Sequence, residues 1–262
     1  MNLPYKKIKK LMLRFSYTAS KYTDVLLVLN ITGKLCGFGS CIHIRTCGRI
    51  LTVSCNHVAY PSSVYFSGPE RLKKDIITDE DISRICKIKL IKRYDKYDLA
   101  VFDSSNLKLE DNGKFRYDLD KSRKITFEVA KKNVDSICFI YGILGSKTRV
   151  YNYPDGMNYM QLPIYTGIGP LVSVANDKVI ADFAEKEMYE LNVEHFPQLE
   201  GLYPTGGSRD ISGASGSGLW IQFGDEILLI GILLGPKEAS SGKHLIRFTP
   251  IWIIQDLVRE LF

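Results

Sequence analysis

The apolar residues of this chain come in short, β-branched runs, each closed by turn-forming residues, and that pattern leaves little room for a helical fold. Asp24–Ile31, Leu35–Arg45, Arg49–Cys55, Ser63–Phe66, Arg84–Arg93 and Leu99–Asp103 each read as a strand. Within residues 85–91 apolar and basic residues alternate near the middle, as a half-exposed strand requires. The polar stretch Ser104–Lys124, rich in Asp, Asn, Lys and Arg, reads as a linker. A second strand-rich block follows: Ile125–Ala130, Ser136–Tyr141, Asn158–Ile164, Gly169–Ala175, Lys178–Phe183, Gly218–Phe223, Glu226–Leu234 and His244–Phe248. The tail Pro250–Phe262 places Ile251, Ile254, Leu257, Val258 and Leu261 at helical spacing, with proline where a first turn tolerates it. Many short strands with Gly-rich turns and little helix imply barrels or a sandwich.

Length and charge exclude several classes of function. The chain has 262 residues and is 45% hydrophobic, enough to bury a sizeable core. Its 35 basic and 29 acidic residues leave a net charge of +6, scattered over Lys6–Lys10, Lys73–Lys74, Lys121–Lys124 and Lys131–Lys132. A nucleic-acid-binding stripe requires tighter clustering than that. No apolar run reaches membrane-spanning length. The lead-in, residues 1–22, carries Lys6, Lys7, Lys9 and Lys10 near its start, and Arg14 interrupts its short apolar run, so no secretory signal is expected. The six cysteines, at 36, 41, 47, 55, 86 and 138, lie largely in or beside apolar strands. They read as reduced thiols of a cytoplasmic protein. No CxxC pair or HExxH spacing is present, so neither metal nor cofactor is expected.

Three segments carry chemistry, and their order matters. An apolar strand, Ile50–Cys55, delivers His57 on the turn that follows. Asp98 opens the buried-looking strand Leu99–Phe102. Ser215 sits in the Gly-rich loop Gly213-Ala214-Ser215-Gly216-Ser217-Gly218, which runs straight into an apolar strand. Taken singly, these are a polar strand end, a turn residue and a flexible loop. Together they fit nucleophilic catalysis. A serine hydroxyl needs a neighbouring base to take its proton, and imidazole, with an ordinary pKa of about 6.5, suits that task. A carboxylate holds the imidazole tautomer and stabilises the imidazolium. Glycines beside the serine let the backbone N–H groups of Gly213 and Ser215 face a substrate carbonyl as an oxyanion hole, where one donor is typically worth ~2.7–4 kcal/mol.

With those residues in view, the chain resembles the trypsin-like serine peptidases of chymotrypsin fold, most closely the bacterial-type members. Residues 51–58, Leu-Thr-Val-Ser-Cys-Asn-His-Val, are similar to the Thr-Ala-Ala-His motif. Gly37-Phe38-Gly39-Ser40 resembles the Gly-Ser-Gly turn upstream of it. Asp98-Leu99-Ala100-Val101 resembles the family's Asp motif, and Gly213–Ser217 resembles Gly-x-Ser-Gly-Gly. The resemblance covers about residues 25–250 and implies an all-β fold of two six-stranded antiparallel barrels, here with a C-terminal helix. It divides the chain into a first barrel at 23–106, a linker at 107–124, a second barrel at 125–249 and a helix at 250–262. It implies a serine endopeptidase with His57, Asp98 and Ser215 as its triad, acting on a protein or peptide substrate. It also puts Arg209, with Asp210 beside it, at the base of the pocket for the residue preceding the scissile bond, so that an acidic side chain would fit. A regulatory protein partner is a further expectation from this architecture; membrane and nucleic-acid partners are not.

The departures from the family pattern are local. Ser217-Gly218 stands where many members have Gly-Pro, and no cysteine follows His57 directly. The long stretch between Asp98 and Ser215 implies an insertion within 151–207. Ala214 stands where secreted members carry the aspartate that pairs with a freed N-terminal amine, so no activation of that kind is expected. Three rivals remain in view. One is an α/β-hydrolase of esterase type, with Asp225 and His244 completing the triad. Its nucleophile elbow needs a glycine where Ser217 stands. Another is a peptide-binding barrel pair without activity. The third is nucleotide binding through Gly142–Thr148, where Ser146 breaks the phosphate-loop pattern.

Overall fold

A computed structural model describes residues 5–30, 35–59, 64–67, 87–109, 113–143, 149–152, 158–161, 164–175, 178–182, 213–237 and 245–262. Helix α1 (Tyr5–Ser20) leads into β1 (Thr23–Leu29), β2 (Leu35–Thr46), β3 (Arg49–Cys55), β4 (Val64–Ser67), β5 (Lys87–Tyr94) and β6 (Leu99–Asp103). After the two-residue β7 (Tyr117–Asp118) and helix α2 (Phe127–Lys132) come β8 (Ile137–Ile143), β9 (Arg149–Asn152), β10 (Asn158–Gln161), β11 (Ile164–Ala175) and β12 (Lys178–Asp182). The chain ends in β13 (Gly218–Phe223), β14 (Glu226–Lys237), β15 (Leu245–Pro250) and helix α3 (Ile251–Arg259).

The strands make two closed antiparallel barrels. The first runs β1-β4-β5-β6-β3-β2 and closes through the pairing of β1 with β2; β7 adds to β2 as a short parallel edge. The second runs β11-β12-β15-β14-β13-β8 and closes on itself. This is the all-β fold of two six-stranded barrels with a C-terminal helix that the resemblance implied. The antiparallel pairing that closes both barrels excludes the α/β-hydrolase rival, which needs a parallel sheet. Closure also removes the unpaired edges that would otherwise invite aggregation.

One expected strand is a helix. Residues 125–130 alternate apolar and polar, which mimics a strand, yet residues 127–132 form α2. The Thr126 hydroxyl accepts the N–H of Val129 at 3.3 Å, and Lys131 and Lys132 sit at the C-terminal end, so capping and the helix dipole favour the helix. The lead-in contributes to the core as well. Met12, Phe15 and Ala19 of α1, at helical spacing, are all buried. Phe15 stacks on Phe139 of β8 at 5.3 Å, and Tyr22 stacks on Trp220 of β13 at 5.7 Å. Helix α1 therefore straps the second barrel to the start of the first. The Tyr117 hydroxyl meets the Ser122 hydroxyl at 2.7 Å beneath this contact, and burial pushes its pKa up to about 12.

Of the stretch 151–207, where the sequence implies an insertion, β11 and β12 are strands of the second barrel itself and the β9–β10 hairpin forms a separate two-stranded sheet; residues 183–212 lie outside the described set. Cys41, Cys47, Cys55 and Cys138 are free thiols. Among the described residues no helix is long and apolar enough to cross a membrane.

A buried charge sits where α1 enters the first barrel. Asp24 and His43 are both buried and meet at 3.3 Å, and the other His43 nitrogen meets the Thr52 hydroxyl at 2.9 Å. Lys114 reaches in from the linker and donates to the carbonyls of Ser20 and Thr23, each at 3.0 Å, satisfying the end of a helix that has no basic residue in its own last turn. Burial alone would raise the Asp24 carboxyl; the bond to His43, the Lys114 charge and the Val25 N–H outweigh it and hold the pKa below the ordinary value. A lowered folded-state pKa stabilises the fold above the unfolded carboxyl's pKa, and that contribution is lost as pH falls through the folded value. Asp24→Ala is expected to cost about 3–5 kcal/mol near neutral pH. The deficit should shrink in acid, measured by urea unfolding at about pH 7 and about pH 3.

Candidate active site

The histidine and the aspartate are placed by two short helical turns. Strand β3 ends at Cys55, and residues 56–58 form one turn of 3-10 helix that carries His57. Residues 95–97 form a second such turn, which Asp98 terminates in the left-handed conformation, φ 47° and ψ 45°. Aspartate is among the few residues that tolerate this geometry. The reversal aims the whole residue at the first turn. The Asp98 carbonyl accepts the Asn56 N–H at 2.9 Å, one carboxylate oxygen accepts the His57 N–H at 2.8 Å, and the other meets His57 Nδ1 at 2.5 Å. The His57 side chain is 50% exposed and that of Asp98 29%, so the pair lies open to an incoming molecule.

Both turns are fixed from behind. The Asn56 amide donates to Asp95 at 2.6 Å and accepts from Arg93. The second barrel reaches across as well: Thr249 donates to the Tyr97 carbonyl at 2.7 Å, and the Tyr94 hydroxyl donates to the Leu257 carbonyl of α3 at 2.8 Å. The acid of one barrel is thus held by the last strand and helix of the other.

The serine loop is anchored to the same strands. Ser40 of β2 donates its N–H to the Ser215 carbonyl at 2.8 Å, and its hydroxyl accepts the Ile143 N–H at 2.7 Å. The Ser40 carbonyl accepts the Ser54 hydroxyl at 2.7 Å. The carbonyl of Leu233 on β14 accepts twice: from the Gly216 N–H at 2.9 Å and from the Cys55 thiol at 2.7 Å. Residues flanking the histidine and the serine therefore meet on one acceptor. A Cβ built on Gly39 would lie 2.7 Å from Val58 Cγ1 and 3.3 Å from the Ser215 carbonyl, so the two loops flank the same glycine. Within the loop the Ser217 N–H and hydroxyl both donate to the Ala214 carbonyl, a closure that the serine departing from the family pattern supplies. Gly213 and Gly216 have φ of 92° and 90°, which L-residues avoid.

The structure thus joins His57 to Asp98 directly and brings the loop of Ser215, with Gly213, alongside. Among the described residues no hydrogen bond links the Ser215 hydroxyl to His57, whose Nδ1 is engaged by Asp98. Arg209 and Asp210 lie outside the described residues. The sequence placed Ser40, Ser54 and Cys55 within motifs without assigning them a part in the site, and nothing in it singled out Leu233. Only the Gly39-Ser40 and Ser54-Cys55 pairs, small polar residues inside apolar strands, hinted at them. Cys55 is fully buried, and burial first, then the Asp98 charge, push its thiol well up. Its sulfur, a His57 nitrogen and an Asp98 oxygen all lie within 4.8 Å of one another.

No protein-family model matches the chain, and no curated protein matches it. Among solved structures it is similar to an HtrA-type protease, AlgW, with a tripeptide, at 13% sequence identity and a TM-score of 0.46. The match covers 98% of this chain and 64% of that chain.

The tightest constraint on the loop is Gly216. A Cβ there would overlap the Ser40 carbonyl and the Ser54 hydroxyl, on top of the positive φ. Gly216→Ala is expected to cost about 1–3 kcal/mol by overpacking alone, read as a lower urea midpoint with an unchanged slope.

Proposed function

We propose that this chain is a serine endopeptidase working through an acyl-enzyme. The observation that carries the reading is the His57–Asp98 pair, in which one carboxylate engages both the backbone and the ring of His57 beside the loop bearing Ser215. With Nδ1–H donating to Asp98, the lone pair of Nε2 remains to take the Ser215 proton. The Ser215 oxygen attacks the substrate carbonyl and His57 becomes imidazolium, stabilised by Asp98. The same proton passes to the leaving amine, and water then enters by the reverse sequence to release the acid. The negative oxygen of each tetrahedral intermediate falls to the N–H groups of Gly213 and Ser215. Among the described residues neither of these has a hydrogen-bond acceptor, while the next two N–H groups are committed to Leu233 and Ala214.

Peptide turnover tests the assignment. Ser215→Ala and His57→Ala should each abolish nearly all hydrolysis, and the double variant should be little worse than either, because the members act as a unit. Asp98→Asn should lower kcat by roughly 10⁴ with KM little changed. Wild-type turnover in Ser215→Ala would refute the proposal. A wild-type chain that binds peptide but hydrolyses none would instead leave a peptide-binding barrel pair as the reading.

The same site is proposed to need no freed N-terminus. Ala214 is buried and has no carboxylate to pair with an amine, and α1 is committed to the core through Met12, Phe15 and Ala19. A chain with a blocked N-terminus should hydrolyse peptide as fast as the unblocked one. Activity that appears only after a cut near residues 15–25 would contradict this account of activation.

A further inference from the structure

The triad reading gives no chemical part to one group beside the site: the buried thiol of Cys55, which donates to the Leu233 carbonyl. We propose that Cys55, His57 and Asp98 together bind a divalent metal ion of the zinc class, and that the bound ion holds the site inactive.

The argument starts from the donors. Thiolate sulfur, imidazole nitrogen and carboxylate oxygen are the three ligand types that Zn²⁺ and its soft neighbours take, whereas Mg²⁺ and Ca²⁺ prefer oxygen alone. The three atoms already lie within 4.8 Å of one another although they come from two separate turns. Charge fits as well: a thiolate and a carboxylate bring two negative charges to a dication at a place where Cys55 is fully buried. The approach is open on the His57 side, where half of the side chain faces solvent. Three protein donors leave a coordination position for water, the pattern of exchangeable rather than closed structural zinc sites.

Binding needs only small displacements. The present 2.5 Å between His57 Nδ1 and Asp98 is shorter than two donors of one tetrahedral zinc allow, about 3.3 Å at the usual bond lengths. A rotation of the half-exposed ring opens that gap. The Cys55 thiol gives up its bond to the Leu233 carbonyl and releases its proton to solvent. The imidazole coordinates through one nitrogen and keeps its proton on the other. No lone pair then remains to accept a proton from Ser215. That consequence rests on the peptidase reading; the binding itself rests on the three donors alone.

Cadmium is the probe, because a cadmium–thiolate bond gives an ultraviolet charge-transfer band that reports on sulfur coordination without any assay of activity. The full reduced chain is used with Cys47→Asn, which removes an exposed thiol at a position of positive φ that asparagine tolerates. One equivalent of Cd²⁺ should give the band, and Zn²⁺ should compete it away. Cys55→Ala, or Cys55→Ser should the alanine variant fail to fold, should abolish it, and His57→Ala and Asp98→Asn should each weaken binding by about tenfold or more. Zn²⁺ should inhibit peptide turnover over the same concentration range. A band in a chain that hydrolyses no peptide supports the metal site and counts against the peptidase. Turnover untouched by zinc, with no band or with a band retained in Cys55→Ala, overturns the metal site and leaves the peptidase reading standing.

Discussion

Ser40 is where the two barrels and the serine loop are joined. It lies in the middle of a strand and is fully buried, so each of its polar groups needs a partner. The N–H goes to the Ser215 carbonyl, the hydroxyl takes the N–H of Ile143 in the second barrel, and the carbonyl takes the hydroxyl of Ser54, three residues before His57. One residue thus sets the distance between a strand of each barrel and the loop between them. The Leu233 carbonyl repeats the device from the other side, receiving Gly216 and Cys55. These groups are buried, so leaving any one unpaired costs more than a surface bond would contribute. That asymmetry keeps an exposed pair such as His57 and Asp98 in a fixed place.

The site combines an open face with a closed back. The side chains proposed to meet substrate are partly exposed, whereas Ser40, Ser54, Cys55 and Ala214 behind them are fully buried. Such a division lets the front accept a substrate while the rear stays rigid. It also explains the spread of supports. Asp98 depends on the last strand and the C-terminal helix, the serine loop on the first barrel, and the first barrel on a helix packed against the second. The strap made by α1 and the Asp24–His43–Lys114 group anchors the far end of the same barrel.

Much of this was legible in the sequence because it rests on local patterns. Short β-branched runs gave the barrels, and helical spacing after Pro250 gave α3. The residue types at His57, Asp98 and the Gly-rich serine loop suggested the chemistry proposed above, and the structure pairs His57 with Asp98. What was not legible depends on pairings between distant strands. Nothing near Ser40 announces a bond to Ile143, and nothing near Asp24 announces that His43 and Lys114 will converge on it. In residues 125–130 the alternation of Ile125, Phe127 and Val129 outweighed the capping signal of Thr126, and in the fold the cap prevailed. In the lead-in, Lys6, Lys7, Lys9, Lys10 and Arg14 obscured the buried stripe of Met12, Phe15 and Ala19. Cys55 reads as one more small apolar residue until Asp98, far away in the chain, is brought beside it.

The central claim is that Ser215 is an activated nucleophile and His57 its base. Fluorophosphonate labelling followed by peptide mass mapping measures this without knowledge of the natural substrate, since the reagent modifies activated serines and ignores spectators. The account predicts one modification per chain, on Ser215, which disappears in His57→Ala while that variant keeps the wild-type unfolding midpoint. Labelling at another serine, or labelling of Ser215 that persists unchanged in His57→Ala, would contradict it.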